Sequence, residues 1–314
     1  MRIHPALAAL ERDDAPQRRA QLAAAQARDA WTASADVAPV AAELERYGNG
    51  AALSRLPALQ ALMRSGADRF ARGHLARFLA LAAEAPLVQW PVRHVANAGM
   101  ASLLLARSGR ASISLVGYEP CRAPPPHATF SHGERHETVL AGEGSGLLVR
   151  LRGGRLREKG VALGPGARFT LDVECETLLP AGLPQRVAVL RLSRGGSPAL
   201  PAREYDRASG QLVHQAAGSL ADSRREMMAT LLARMGRAEA VPVLRALSRD
   251  GADHLRWQAL RELLALDTAQ GWTALLEIAE RAGDPLQPHA KGLQAQLLDR
   301  HPELGAREAA LCPA

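Results

Sequence analysis

Between Ala111 and Ser193 apolar residues recur every second position, and on either side of that stretch they recur every third or fourth. Ser112-Ile113-Ser114-Leu115-Val116 alternates. Glu137 to Arg152 carries Val139, Leu140, Leu147, Val149 and Leu151, and Phe169, Leu171 and Val173 share one face. Gly153-Gly154 and Gly164-Pro165-Gly166 separate these runs. A period of two with glycine and proline between short runs is strand and turn chemistry. Strands joined by turns this short, with no helical period between them, must pair antiparallel, and the sheet must curl or face another to bury its apolar side.

The flanks read as helices. From Pro16 to about Glu84 the apolar positions are Leu22 and Ala25, then Leu53, Leu56, Leu59 and Leu62, then Leu75, Phe78 and Leu79. Three to four helices fit, with breaks at Tyr47-Gly48-Asn49-Gly50 and Ser65-Gly66. Trp90-Pro91 closes the unit, and Ala98 to Arg107 fits either a helix or a first strand. After the linker Arg194 to Pro198, helical period returns at Ser223 and runs to about Leu298. Within it, Ala240 to Leu247 lies over Gly271 to Ile278 at an offset of 31 residues, and Asp253, Leu255 and Ala259 lie over Asp284, Leu286 and Ala290. Helix pairs joined by an aspartate-led turn at this spacing resemble HEAT repeats, which implies apolar stripes buried between successive pairs and a face for a protein partner. The expected fold class is α+β: a helical segment over 1–108, an antiparallel barrel over 109–195, a linker or meander over 196–222, and helical repeats over 223–314.

Composition limits the function classes. The net charge of +7 would suit a nucleic-acid binder, but all cations except Lys159 and Lys291 are arginine, as a codon bias produces. Split by segment, 1–110 has 14 cations and 9 anions, 111–200 has 11 and 8, and 201–314 has 14 and 15, so no segment is a strongly basic domain. Cys121, Cys175 and Cys312 are far apart and lack C-x-x-C spacing, which argues against a disulfide framework or a zinc knuckle. No secretory leader or membrane-length apolar run is read, so the expectation is a soluble, cytoplasmic protein.

Pro126 to Gly144 resembles the first motif of the cupin superfamily, G-x5-H-x-H-x3,4-E-x6-G. His127 stands at the first histidine and Glu134 at the carboxylate, Thr129 replaces the second histidine, Cys121 replaces the leading glycine, and Gly142 falls one residue late. Glu174 to Val189 resembles the second motif, G-x5-P-x-G-x2-H-x3-N: Pro180-Ala181-Gly182 is present, and Gln185 stands in place of the histidine. The resemblance implies a cupin-like barrel, commonly dimeric, with Gln185 beside a small ligand. Members that hold iron, manganese or zinc use imidazole and carboxylate. In this chain His127, His132, His136, Glu134 and Glu137 are the candidate ligands. Residues four apart on a strand are about 13 Å apart, so His132 and His136 share an ion only if a loop intervenes. The same histidines also fit a polar barrel mouth without metal.

Two further features invite binding. Arg150-Leu151-Arg152-Gly153-Gly154-Arg155-Leu156-Arg157 reads as a two-residue hairpin that pairs Arg152 with Arg155 and Arg150 with Arg157. Opposed like charges are mildly destabilising, so this face suits an anion or an acidic surface, and equally a solvated edge. His254 and Trp257 open the second helix of a repeat, where they fit a partner contact or the core. Gly142-Glu143-Gly144-Ser145-Gly146 has neither the lysine nor the following helix of a phosphate loop. Two functions follow: a non-catalytic interaction or regulatory protein with a degenerate cupin-like barrel and a helical scaffold, or a metal-dependent cupin enzyme of oxygenase or isomerase type using His127, His132 and His136.

Overall fold

The computed structural model describes residues 13–85, 88–89, 92–97, 99–196, 201–217 and 220–304. The Trp90-Pro91 step, the Ser197-Pro198 part of the linker, the first twelve residues and Cys312 lie outside them. The chain forms two units, one comprising residues 1–196 and 205–211 and the other 197–204 and 212–314. No described helix is long and apolar enough to cross a membrane.

The first unit opens with helices α1 (Ala15–Thr32), α2 (Ala38–Gly48), α3 (Pro57–Ala61) and α4 (Ala67–Glu84). Prolines begin α2 and α3, where a missing N–H costs nothing. The expected break after Gly48 is present, and Gly50 takes the left-handed φ of 104° there. The break expected at Ser65-Gly66 is not. Gly66 is helical, with φ −88°, and Leu62–Gly66 forms a π-helical turn that carries α3 into α4. Such a turn frees carbonyls from the i→i+4 ladder. The Met63 carbonyl accepts a hydrogen bond from Thr138 Oγ1 at 2.8 Å, which ties the turn to the sheet behind it.

Strands β1 (His94–Asn97) and β2 (Met100–Ser108) follow, so the sheet begins before the boundary read at 109, and the Ala98–Arg107 segment is mostly strand. Strands β3 (Ala111–Tyr118), β10 (Val187–Gly195), β5 (Gly133–Ala141) and β8 (Arg168–Asp172) complete a six-stranded antiparallel sheet in the order β1-β2-β3-β10-β5-β8. A second sheet has the order β7-β6-β9, from β6 (Gly144–Arg152), β7 (Arg155–Leu163) and β9 (Glu176–Gly182). Gly153 and Gly154 both have positive φ, and the β6–β7 register is the expected one, with Arg152 opposite Arg155 and Arg150 opposite Arg157. Gly133, at the start of β5, has no alternative: a Cβ there would lie 2.0 Å from the Arg194 carbonyl oxygen.

The centre of the large sheet is covered on both faces. Val116, Val139, Val187 and Val189 face inward and pack with Leu163, Leu178 and Leu183. Ile113, Leu190 and Leu192 face outward into Leu44, Leu56, Leu59 and Phe70 of the helical segment. That explains why β10 reads Val-Ala-Val-Leu-Arg-Leu with little alternation, since both faces of a doubly covered strand must be apolar. The short β4 (His127–Phe130) contributes Ala128 and Phe130 to a smaller cluster with Val149 and Tyr205. Strands β11 (Ala202–Asp206) and β12 (Leu212–Ala216) fall in the stretch read as linker or meander.

The second unit has α5 (Leu220–Arg234), α6 (Val241–Arg249), α7 (Asp253–Leu266), α8 (Thr268–Glu280) and α9 (Gln287–Arg300). Positions 31 apart share burial: Leu244 with Leu275, Leu255 with Leu286, and Ala259 with Ala290. Gly271 lets α8 approach α7 closely, because a Cβ would sit 2.5 Å from Leu264 Cα. Arg256 donates through Nη2 to Asp284 Oδ2 at 2.5 Å and through Nη1 to Asp253 Oδ1 at 3.0 Å, so it joins the two equivalent aspartates.

Two stability predictions follow from these contacts. Arg256→Ala removes the closest partner of the buried Asp284 carboxylate and leaves it the Leu286 N–H and Arg281 at 3.6 Å, so the cost is expected at about 2–3 kcal/mol, with part recovered in Arg256→Ala/Asp284→Asn; denaturant unfolding checks both. His74 packs edge-on to Trp31 at 4.6 Å, and burial lowers its pKa to about 4. Unfolding restores the ordinary value near 6.5, so the unfolded chain binds the extra proton. The stability His74 contributes is complete above about pH 6.5 and is lost as pH falls through about 4; thermal melts across this window should flatten in His74→Phe.

Candidate functional site

Cross-strand register arranges the inner face of the large sheet in rows. Val116, Val189 and Val139 form an apolar row. The next contains Ser114, Arg191, Glu137 and Phe169, and the one beyond it Ser112, Ser193, Arg135 and Leu171. The space between the large sheet and the facing β7-β6-β9 sheet, which is the barrel interior, therefore turns polar toward one end. Arg191 Nε donates to Glu137 Oε1 at 2.7 Å, and its Nη2 donates to Tyr118 Oη at 2.6 Å. Arg135 Nη1 lies 3.9 Å from the same Glu137 oxygen, an ion pair too long for a hydrogen bond. Glu137 is 1% exposed, and its Oε2 has no hydrogen-bond partner among the described residues.

Two guanidiniums thus share one carboxylate. Burial, and then the Arg191 charge, push the Arg135 pKa below its ordinary value. Burial acts against Arg191 as well, but Glu137 and Tyr118 outweigh it and hold its pKa up. Burial and the Glu137 charge raise the Tyr118 pKa, which keeps the phenol neutral.

The small sheet adds cations at the same end. Leu148 and Leu178 face the barrel core, and alternation places Arg150, Arg152, Arg155, Arg157 and Lys159 on that same side. Glu176 binds Arg150 at 2.7 Å. Arg152, Arg155, Arg157 and Lys159 are exposed.

The five proposed metal ligands do not converge. Alternation on β5 sends Glu137 into the barrel and Glu134 and His136 to the opposite, helix-facing side. There Glu134 pairs with Arg194 at 2.6 Å, and His136 Nδ1 lies 3.1 Å from Thr170 Oγ1. Arg194 also caps the Tyr47 and Ala51 carbonyls and lies 4.4 Å from the Tyr47 ring centroid. His132 Nδ1 lies 3.7 Å from Glu174, and His127 sits on β4 near Asp206, whose pKa is lowered mainly by hydrogen bonds from Ser209 and to a lesser degree by His127. Among the described residues no three His, Cys, Asp or Glu side chains are placed to hold a metal ion, so the ligand set expected from the cupin resemblance does not fit one. Gln185 is exposed in the turn between β9 and β10, at the end of β10 away from Arg191 and Ser193.

Arg135, Arg191 and Tyr118 were not singled out by the sequence pattern, although a signal was present. Gly142 takes a left-handed φ of 85° and approaches Arg186 so closely that a Cβ would lie 2.1 Å from its carbonyl oxygen. Counting back from this anchored glycine by the E-x6-G spacing reaches Arg135, not Glu134. A cation therefore stands where the resembled pattern has its carboxylate.

The second unit has its own cavity, of about 1030 Å³, lined by Met227 and Leu231 of α5, His254 and Trp257 of α7, and Leu286 and His289 beside α9. Trp257 packs on the helical core and meets His289 edge-on at 6.0 Å, so it is both core and lining. His254 Nε2 lies 3.5 Å from Glu226 Oε1. Met227 and Leu231 of α5, and Met235 just past its end, are exposed at four-residue spacing.

No protein-family profile matches the chain, and no curated protein matches it in sequence. Solved structures that resemble it in part are cupin-fold proteins. The cupin domain of Drosophila melanogaster CENP-C aligns at TM-score 0.28 and 11% identity over 33% of this chain and 75% of that one. A cupin superfamily protein from Desulfitobacterium hafniense aligns at 0.25 and 14% over 32% and 83%. Hydroxypropylphosphonic acid epoxidase from S. wedmorenis aligns at 0.26 and 13% over 32% of this chain, which spans only 54% of the epoxidase. The architecture rests on the strand order and register above, since scores this low carry no weight.

Removing the shared carboxylate exposes the balance of charge in the barrel. Glu137→Gln is expected to cost about 3–5 kcal/mol by leaving two buried guanidiniums facing each other, and Glu137→Gln/Arg135→Gln to cost clearly less; urea unfolding of both variants measures the coupling.

Proposed function

We propose that the protein is a non-catalytic binding protein, with a small ligand held on the inner face of the cupin-like barrel and a protein partner held by the helical unit. The observation that carries the reading is the Arg135, Arg191, Glu137 and Tyr118 cluster inside the barrel. Cations and a phenol at these positions supply hydrogen-bond donors and no ligand set for a metal. Convergent polar groups beside an apolar row are features of a small-molecule site. Function is read here from the site and not from the barrel, since one fold hosts many functions.

The helical unit is read as a short HEAT-like array. Equivalent positions at an offset of 31 residues are buried alike, as stacked repeats require. Its cavity beside Trp257 and the exposed Met227, Leu231 and Met235 supply an adaptable apolar surface for a partner.

Purified full-length protein dialysed against EDTA should keep its melting temperature, and a panel of small metabolites should raise it, in a manner lost in Arg135→Gln. Stoichiometric iron, manganese or zinc whose removal lowers the melting temperature would replace this reading with that of a metal-dependent enzyme.

A further inference from the structure

We infer that the barrel's ligand is a small hydroxylated anion, whose carboxylate or phosphate oxygens are bound by Arg135 and Arg191 and whose hydroxyl donates to Glu137 Oε2. The inference rests on the ligand-binding reading of the barrel and adds the chemistry of what is bound.

Three observations converge on it. Both guanidiniums address the same atom of Glu137, Oε1, at 2.7 Å from Arg191 and 3.9 Å from Arg135. Oε2 is buried and has no donor among the described residues. An unmatched carboxylate oxygen in a buried site is costly, and a ligand hydroxyl supplies the missing proton donor. Arg135 is the second observation: its side chain is only 24% exposed and has no hydrogen bond among the described residues. A guanidinium offers a planar fork that fits carboxylate or phosphate oxygens two at a time. The third is charge. Inside the barrel two cations meet one anion, and at its mouth Arg152, Arg155, Arg157 and Lys159 add four more, with Glu176 offsetting only Arg150. A surface with an excess of one sign concentrates and steers an oppositely charged ligand.

Ser112, Ser114 and Ser193 complete the surroundings. They lie in the same two rows as the arginines, where their hydroxyls offer neutral donors and acceptors. Depth separates a small molecule from an acidic protein surface. Arg155 and Arg157 are exposed enough for a protein to reach, whereas the Arg191 side chain is 16% exposed and Glu137 1%. Only a small ligand engages the inner pair.

Isothermal titration and thermal melts of the full-length protein test this with tartrate and citrate, succinate as a dicarboxylate without hydroxyl, inorganic phosphate, and mannitol as hydroxyls without charge. Tartrate or citrate should bind, with succinate and phosphate about tenfold weaker or more, and mannitol should not. Arg135→Gln should weaken tartrate and citrate by about tenfold or more while raising the melting temperature of the free protein, because it removes a desolvated charge beside Arg191. Arg135→Lys should keep the charge and still lose affinity, since it lacks the fork. Unchanged affinity in Arg135→Gln overturns the inference. Succinate or phosphate binding as tightly as tartrate overturns the role given to Glu137. Binding of mannitol alone overturns the anion and leaves the ligand-binding barrel standing; no binding of any probe, with a lowered melting temperature in Arg135→Gln, overturns both.

Discussion

Because β10 lies between β3 and β5, each of its side chains is committed to one of two interiors. Leu190 and Leu192 anchor the helical segment, and Val187 and Val189 fill the barrel. Arg191 is the exception within this run, and it is held by Glu137 on one neighbouring strand and Tyr118 on the other. A register slip of one residue would exchange these faces, placing Arg191 among helix side chains and Leu192 in the polar rows. The helical cover, the core and the cation pair thus depend on one strand register.

The outer side of β5 is organised around a different arginine. Arg194 joins Glu134, the Tyr47 and Ala51 carbonyls and the Tyr47 ring, so the α2 terminus is fastened to the sheet by one side chain. Desolvation alone would make this contact expensive. Several acceptors on one guanidinium offset that cost, as buried ion pairs need. The same logic recurs in the helical unit, where Arg256 serves Asp253, Asp284 and the Ser248 carbonyl. Against these two, Arg135 is a part-buried arginine that makes no hydrogen bond among the described residues and only a 3.9 Å ion pair with Glu137.

Much of the architecture was legible in the residues. The Gly153-Gly154 hairpin and the change of period each reflect local chemistry, in which backbone conformation or helix phase depends on near neighbours. The first strands were less legible, because Met100 to Ser108 carries the continuous apolar run Leu103-Leu104-Leu105-Ala106 across a register shift, and a short apolar run resembles a helix segment. Ser65-Gly66 misled for a related reason: tertiary packing of Leu62, Met63 and Ala67, with Thr138 on the Met63 carbonyl, overrides the weak helix preference of glycine.

The candidate site divides along the same line. The sequence alone determined that histidines and carboxylates cluster between His127 and Glu137, that four arginines face one another across a hairpin, and that two motif ligands are replaced by Thr129 and Gln185. Which of these groups meet was decided only by the tertiary structure. Alternation on β5 sends neighbouring residues to opposite faces, so Glu134 and His136 go to the helices, and Arg135 and Glu137 enter the barrel. Arg191, which completes the site, comes from a strand 54 residues beyond Glu137. No spacing along the chain encodes that meeting, because it is made by hydrogen-bond register between strands whose separation in sequence is set by everything folded in between.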